Sequence, residues 1–196
     1  MADFNLNHLK CFRFKELFNE LGWDLPAQQQ PYTAAVGEVN YALDVVAHKK
    51  GVQILHCQPN DAGNIPDYSA RQKIERKITA EVREHLIVFT DAAQTTQIWQ
   101  WVAREPGRPN QYREVSWLSQ QQGDVPELLR QKLSAIAFTL SEEESLTVLG
   151  VTQKLGAGFD RDKVTKKFYI EFDKQRKALT DFIAGIPKLG VCRIKS

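Results

Sequence analysis

The 196-residue sequence lacks several features that would assign it to a familiar class. No run of apolar residues approaches the length of about 18 that a transmembrane helix needs, and the first residues, MADFNLNHLKCFRF, contain no apolar segment of the signal-peptide type. Its three cysteines, Cys11, Cys57 and Cys192, are far apart and form no CxxC pair. This arithmetic disfavours a zinc site and a disulfide framework, and it predicts reduced thiols in a cytoplasmic protein.

Signatures of common catalytic sites are also missing. The histidines show neither metal-ligand spacing nor an HExxH pattern, which disfavours zinc; they are His8, His48, His56 and His85. The glycines of GVTQKLGAGF follow no predicted strand, so we expect a helix-breaking turn before Asp160 and not a dinucleotide loop. No triad partner is identifiable for Ser134, Ser145 or Cys57. A net charge of +2 argues neither for nor against nucleic acid, so any such case depends on local patches.

What the sequence does contain predicts an α+β protein. Hydrophobic residues make up 42% and charged residues 26%, which is normal for a chain with a packed core. Runs rich in β-branched and aliphatic residues predict a mixed sheet of about five strands flanked by helices, close to the usual sheet size. The segments are NYALDVVA, GVQILHC, LIVFTD, TQIWQWVARE and YREVSWL. Trp99 and Trp101 alternate onto one strand face, where we expect core packing rather than base stacking.

Helical periodicity divides the rest of the chain. Apolar spacing predicts one helix over residues 7–21 with Gly22 after its end, and another that Asp67 caps and that reaches about residue 84. Further helices are predicted over residues 125–138, after residue 141, and from about residue 160 to 184. The glutamine-rich stretch near residue 120 therefore predicts two parts, an α+β domain at 1–120 and a helical segment packed on it at 121–196.

Several stretches, taken in order, resemble the N-terminal region of type IIG restriction–modification enzymes and related adenine-N6 DNA methyltransferases. They are FKELFNELGWD, YALDVVAHKKGVQIL, IPDYSARQKIERKI, EHLIVFTDAAQTTQIWQWV, LSAIAFTLSEEESLTV and FDRDKVTKKFYIEFDKQRKALTDFI. In that family the region precedes a methyltransferase domain with an NPPY-type tetrapeptide, which these 196 residues do not contain. The resemblance implies an accessory domain that partners methyltransferase and specificity domains, with a fold similar to a degenerate PD-(D/E)xK nuclease.

A nuclease of that type requires a helix Glu, a strand Asp, and an acid and a lysine two residues apart in the next strand. Asp44 takes the strand position, and Glu16 or Glu20 takes the helix position. Gln58 then stands where the second acid belongs and Asn60 where the lysine belongs. Because Mg²⁺ prefers charged oxygen ligands, we predict a vestigial or purely structural site, no metal and no catalytic residue. We expect Mg²⁺ as a cofactor only under the alternative that the chain is an intact nuclease.

Two basic helices are the candidate surfaces for double-stranded DNA. The first carries Arg71, Lys73, Arg76 and Lys77, and the second carries Arg161, Lys163, Lys166, Lys167, Lys174, Arg176 and Lys177. Such charges equally suit a solvated helix face with i,i+4 pairs. The expected function is DNA binding or positioning without cleavage by this chain alone. The alternatives are a divergent Mg²⁺-dependent endonuclease and a protein-interaction scaffold.

Overall fold

A computed structural model describes residues 4–27, 31–105, 107–119, 123–143 and 145–185; for 160–171, 173, 178 and 181–185 it describes the backbone. Two compact units divide the chain, residues 1–159 (the sheet unit) and residues 160–196 (the C-terminal unit). Residues 123–159 thus belong to the same unit as the sheet. The domain boundary predicted near residue 120 stays a prediction.

The described elements follow the order ααβββαβββααα. The helices are α1 (Leu6–Lys10), α2 (Phe14–Glu20), α3 (Tyr68–Glu81), α4 (Glu127–Ala135), α5 (Leu140–Glu143) and α6 (Val148–Gly185). The strands are β1 (Tyr32–Val36), β2 (Val39–Lys49), β3 (Val52–Cys57), β4 (His85–Thr90), β5 (Thr96–Ala103) and β6 (Gln111–Leu118).

The six strands form one mixed sheet in the order β1-β2-β3-β4-β5-β6, in which only the β3–β4 pair is parallel. The predicted α+β class with a mixed sheet is therefore confirmed, with one strand more than expected. The additional strand is β1, whose sequence YTAAV is short and pairs with β2 alone. Helix α3 makes the crossover that a parallel pair requires, and Asp67 caps it by accepting a 2.7 Å hydrogen bond from the Ala70 N–H.

The residues of the turn between β2 and β3 determine the type of that hairpin. Lys50 and Gly51 have φ of 48° and 87°, the pair of left-handed residues that a two-residue hairpin turn with right-handed twist requires. Val45 pairs with Leu55 but Ala47 pairs with Ile54, so β2 has a bulge at Val46. A bulge puts one extra residue into a strand, and it decides which face each later β2 side chain occupies.

Helices cover both faces of the sheet. One face packs with α1, α2, α4 and the start of α6 around Trp99, which is fully buried. The rings of Phe14 and Phe18 lie 5.7 and 6.0 Å from the Trp99 ring, centroid to centroid. The other face packs with α3 through Ile74 and Ile78. Core packing of Trp99 and Trp101, as predicted, is confirmed.

The helix prediction for residues 7–21 is wrong in one respect, because two short helices replace the single one. Phe12 interrupts them with a φ of 57°, and the Arg13 N–H reaches back to the His8 carbonyl at 2.8 Å. The predicted turn before Asp160 is also wrong, since α6 runs from Val148 to Gly185. A Cβ on Gly158 would lie 2.9 Å from Ile136 Cγ2, so this glycine allows α6 to approach the residues after α4.

Within the described residues, no helix combines the length and the apolar character needed to cross a membrane.

Candidate functional site

A pocket of about 760 Å³ opens between α2 and β2 in the sheet unit. Its lining combines apolar, aromatic, basic and acidic side chains. These are Phe12, Arg13, Phe14, Lys15, Glu16, Pro26, Ala27, Asp44, Val45, Val46 and His56. The pocket therefore holds both the predicted strand aspartate and one of the two predicted helix glutamates.

Strand alternation explains why Asp44 faces this pocket. Leu43 and Val45 contribute to the core under α3, so the intervening Asp44 points to the opposite face, where α2 lies. His56 is the β3 residue paired with Asp44 and lies beside it on that face. Val46 follows on the same face and contributes to the core around Trp99.

Gln58 occupies the position predicted for the second acid. Its Nε2 donates a 2.7 Å hydrogen bond to Asp44 Oδ2. The Asn60 side chain is used elsewhere, because its Oδ1 accepts a 2.9 Å hydrogen bond from the Asn64 N–H and stabilises the loop that follows β3. The amide of Gln58 thus caps the carboxylate of Asp44, and Asn60 supplies no charge to the pocket.

The structure distinguishes the two candidate helix glutamates. Glu16 is exposed and lines the pocket. Glu20 instead accepts a 2.8 Å hydrogen bond from the Asn5 N–H, and its other oxygen lies 3.3 Å from His8 Nδ1. Glu20 therefore ties α2 to α1, and only Glu16 shares the pocket with Asp44.

The pocket residues do not fit a magnesium ion. Among the described residues, no group of three or more histidine, cysteine, aspartate or glutamate side chains is placed to hold a metal. One oxygen of Asp44 already accepts the Gln58 amide hydrogen. Since Mg²⁺ keeps six oxygen ligands and favours carboxylates, we derive no metal-dependent step from this site.

His56 and Cys57 add no charge to the pocket region at neutral pH. Burial lowers the pKa of His56 to about 4, with the Asp44 carboxylate acting weakly in the opposite direction. His56 Nε2 is 2.8 Å from Thr90 Oγ1. Burial, assisted by Asp44, raises the pKa of Cys57 to about 12, so this thiol is protonated at neutral pH and is a poor nucleophile.

A second buried polar cluster lies on the opposite face, between α3 and the β4–β6 part of the sheet. His85 Nδ1 is 2.7 Å from the Val82 carbonyl, and since a carbonyl only accepts, Nδ1 carries the proton. Its Nε2 is buried and makes no hydrogen bond to the described residues. Burial and the Arg104 cation lower the pKa of His85 to about 4, although the Val82 carbonyl and Glu75 oppose this.

We expect the stability of the sheet unit to fall as the pH is lowered from 6.5 towards 4. His56 and His85 have a pKa of about 4 in the folded chain against 6.5 ordinarily, so the unfolded chain binds more protons across that window. Above pH 6.5 both histidines are neutral in the folded and unfolded chain, and stability is at its full value. By pH 4 the free energy of unfolding is lower by up to about 3 kcal/mol for each histidine. Urea unfolding measured between these limits checks this. His85→Gln and His56→Gln should each flatten the slope, and an unchanged slope in both would contradict the assignment.

The basic face of α3 is smaller than predicted. Arg71 is 7% exposed; its Nε and Nη2 donate to the Glu114 carboxylate at 3.0 and 2.9 Å, and its Nη1 donates to the Pro66 carbonyl at 2.7 Å. Its guanidinium is therefore used by the fold, and we leave Arg71 out of the surface. Lys73, Arg76 and Lys77 are exposed; these three residues form what we call the α3 basic face.

In the C-terminal unit, Lys174, Arg176 and Lys177 lie on α6 and are exposed. Arg161, Lys163, Lys166 and Lys167 lie on the same helix, and their side chains are outside the described part of the structure. Cys192 also lies outside the described residues.

Sequence reasoning missed three polar members of the pocket, namely Arg13, Lys15 and His56. A signal for the first two existed, since Arg13 and Lys15 both lie within three residues before Glu16. His56 precedes Gln58 by two residues, so the strand period of two already placed both on one face.

A scan of protein-family models, a search of curated proteins and a search of solved structures each gave no match to this chain.

Proposed function

We propose that this chain is an accessory DNA-binding domain of a restriction–modification protein, of the kind its sequence resembles, and that it does not cleave DNA by itself. The hydrogen bond from Gln58 to Asp44 carries the non-catalytic part of the proposal, because it puts an amide where a nuclease of this type requires an acid; the DNA-binding part is supported by the exposed cations of the α3 basic face. The order of helix Glu, strand Asp and following strand supports the likeness to a nuclease. The protein would act in the cytoplasm, beside methyltransferase and specificity domains.

The α3 basic face is the surface that would contact phosphates in the sheet unit. Lys73, Arg76 and Lys77 are exposed and lie within two turns of one helix, with Glu81 as the nearby exposed acid. Phosphate contacts from Lys and Arg fix a protein on a duplex without reading its sequence. Lys174, Arg176 and Lys177 would add contacts from the C-terminal unit.

Reversing the α3 basic face should abolish most duplex binding. We expect the variant Lys73→Glu, Arg76→Glu, Lys77→Glu to reduce the slope of log affinity against log salt by roughly three units, since each phosphate contact contributes about 0.9. Fluorescence anisotropy with a labelled duplex between low and physiological salt measures it. A matched control reverses three exposed cations elsewhere, Lys50, Arg108 and Arg130, and should change the slope far less.

Equal losses in the two triple variants would show that only net charge matters and would contradict a phosphate surface on α3. No salt-dependent binding by the unmodified chain would instead favour a protein-interaction scaffold.

One observation favours a second candidate function, a divergent endonuclease. Glu16 and Asp44 line the same pocket, as a helix Glu and strand Asp do in a metal-dependent nuclease. Incubating plasmid DNA with the chain and Mg²⁺ or Mn²⁺ separates the candidates. Cleavage that disappears in Asp44→Ala would overturn the non-catalytic proposal, whereas intact plasmid in both samples agrees with it.

A further inference from the structure

The pocket between α2 and β2 is separate from the α3 basic face, and its size and lining are those of a small-molecule site. Its volume of about 760 Å³ lies inside the range of roughly 300–1,000 Å³ that small-molecule sites occupy. Such sites combine apolar walls with a few polar groups that orient the ligand. Both kinds of lining are present here.

The lining is graded from mouth to floor. Arg13, Lys15 and Glu16 are exposed and stand at the mouth. Asp44 and His56 are half-buried and lie deeper. The exposed part of the lining thus carries two cations and the Glu16 carboxylate, and the half-buried part carries the Asp44 carboxylate beside a neutral imidazole.

Aromatic and aliphatic side chains make the walls. Phe14 is buried, and its ring lies 4.9 Å from the His56 ring, centroid to centroid. Val46, a residue of β2, is also buried. Half-buried Phe12 and Pro26 complete the apolar lining. Phe12 is the more accessible of the two aromatic rings, and such a ring can stack on any nucleobase, because every base has a π-face.

Phe12 enters the pocket lining through the turn between α1 and α2. Its φ of 57° is the left-handed conformation that commonly follows the end of a helix, and it lets the Arg13 N–H bond the His8 carbonyl at 2.8 Å. This turn puts both Phe12 and Arg13 in the lining of the pocket.

We propose that this pocket accepts one unstacked nucleotide, with the base against the Phe12 and Phe14 walls, the Asp44 carboxylate accepting from its exocyclic amino group, and Arg13 and Lys15 at its phosphate. The carboxylate oxygen that Gln58 leaves free can accept that hydrogen bond. Adenine, cytosine and guanine carry an exocyclic amino group, whereas thymine offers only its ring N3–H as a donor, so a pocket that directs the amino group at Asp44 favours the three amino-bearing bases. This inference rests on the proposed DNA-binding function and names a base-contacting site within it.

Calorimetric titration of the full chain with single deoxynucleoside monophosphates tests the pocket without requiring a duplex. We expect saturable binding of deoxyadenosine and deoxycytidine monophosphates, and binding of thymidine monophosphate that is weaker by about tenfold or more, the loss expected for one hydrogen bond to a charged group. Asp44→Asn should remove most of this discrimination. Ala27→Trp, at an exposed lining residue, should block binding of all the nucleotides while leaving the core unchanged.

Other results would overturn the inference. Thymidine monophosphate or inorganic phosphate binding as tightly as deoxyadenosine monophosphate would show that the base is not read. Undiminished binding in Ala27→Trp would place the ligand elsewhere. The triple charge reversal on α3 separates the two proposals, since it should weaken duplex binding and leave mononucleotide binding intact. Duplex binding without mononucleotide binding overturns the pocket alone, and the reverse overturns the α3 surface alone.

Discussion

Replacing Glu75 by alanine is expected to destabilise the sheet unit by about 3 kcal/mol, because it removes one partner of a buried charge pair. Glu75 is 1% exposed, and its Oε1 accepts a 2.5 Å hydrogen bond from Arg104 Nη2. Its Oε2 accepts a 3.2 Å hydrogen bond from the Tyr112 hydroxyl. Without Glu75, Arg104 keeps only the Glu84 carboxylate at 3.8 Å among its described charge partners, which is why we expect the lower end of the usual range.

Equilibrium urea unfolding, followed by tryptophan fluorescence, measures this loss. Glu81→Ala is the matched control, since Glu81 is exposed on the same helix and should change stability by less than about 0.5 kcal/mol. Replacing both Glu75 and Arg104 by methionine should recover most of the loss, because no unpaired charge then remains buried. Equal stability of Glu75→Ala and Glu81→Ala would show that the pair contributes nothing.

Gly22→Ala is expected to destabilise the sheet unit by about 2–5 kcal/mol, through two effects. Gly22 has a φ of 77°, a left-handed conformation that strains an L-residue by about 1–2 kcal/mol. A Cβ would also lie 2.4 Å from the Phe138 carbonyl oxygen, so the chain must shift, and overpacking of this kind adds about 1–3 kcal/mol. The shift would disturb the 2.8 Å hydrogen bond from the Phe138 N–H to the Leu21 carbonyl.

Gly37→Ala isolates the backbone effect in the same unfolding measurement. Gly37 has a φ of 62°, and no atom lies within 4 Å of the position of its Cβ. We therefore expect only the conformational part, about 1 kcal/mol. Equal losses at Gly22 and Gly37 would mean that contact with Phe138 is not the cause, whereas a larger loss at Gly22 supports close packing between the end of α2 and the segment after α4.

These two sites, with the α2–β2 pocket, show how the sheet unit is organised. Close backbone contact at Gly22 connects α2 to the residues that follow α4. The buried Glu75–Arg104 pair connects α3 to the residue after β5. The pocket between α2 and β2 thus lies in a unit in which specific contacts attach helices to both faces of the sheet.

The sequence alone determined those features of this protein that depend on neighbours along the chain. Lys50 and Gly51 close the β2–β3 hairpin, Asp67 starts α3, and the alternation of Trp99 and Trp101 buries both in one core, because turn, cap and strand preferences act over a few residues. The turn did not by itself bring Asp44 and Gln58 together, because a register counted from it without interruption would pair Asp44 with Cys57, whereas the bulge at Val46 pairs Asp44 with His56.

Only the tertiary structure decided the rest, because those outcomes depend on atoms distant in sequence. Glu114, 43 positions away, makes Arg71 part of the fold. The break expected before Asp160 is the interior of α6, where Gly158 lies close to Ile136. The bulge at Val46 sets the faces of the later β2 side chains. Glu20 contacts the Asn5 N–H and His8, so only Glu16 lines the pocket. Packing between elements selects among side chains whose local preferences are equal, which is why one glutamate of α2 faces Asp44 and the other does not.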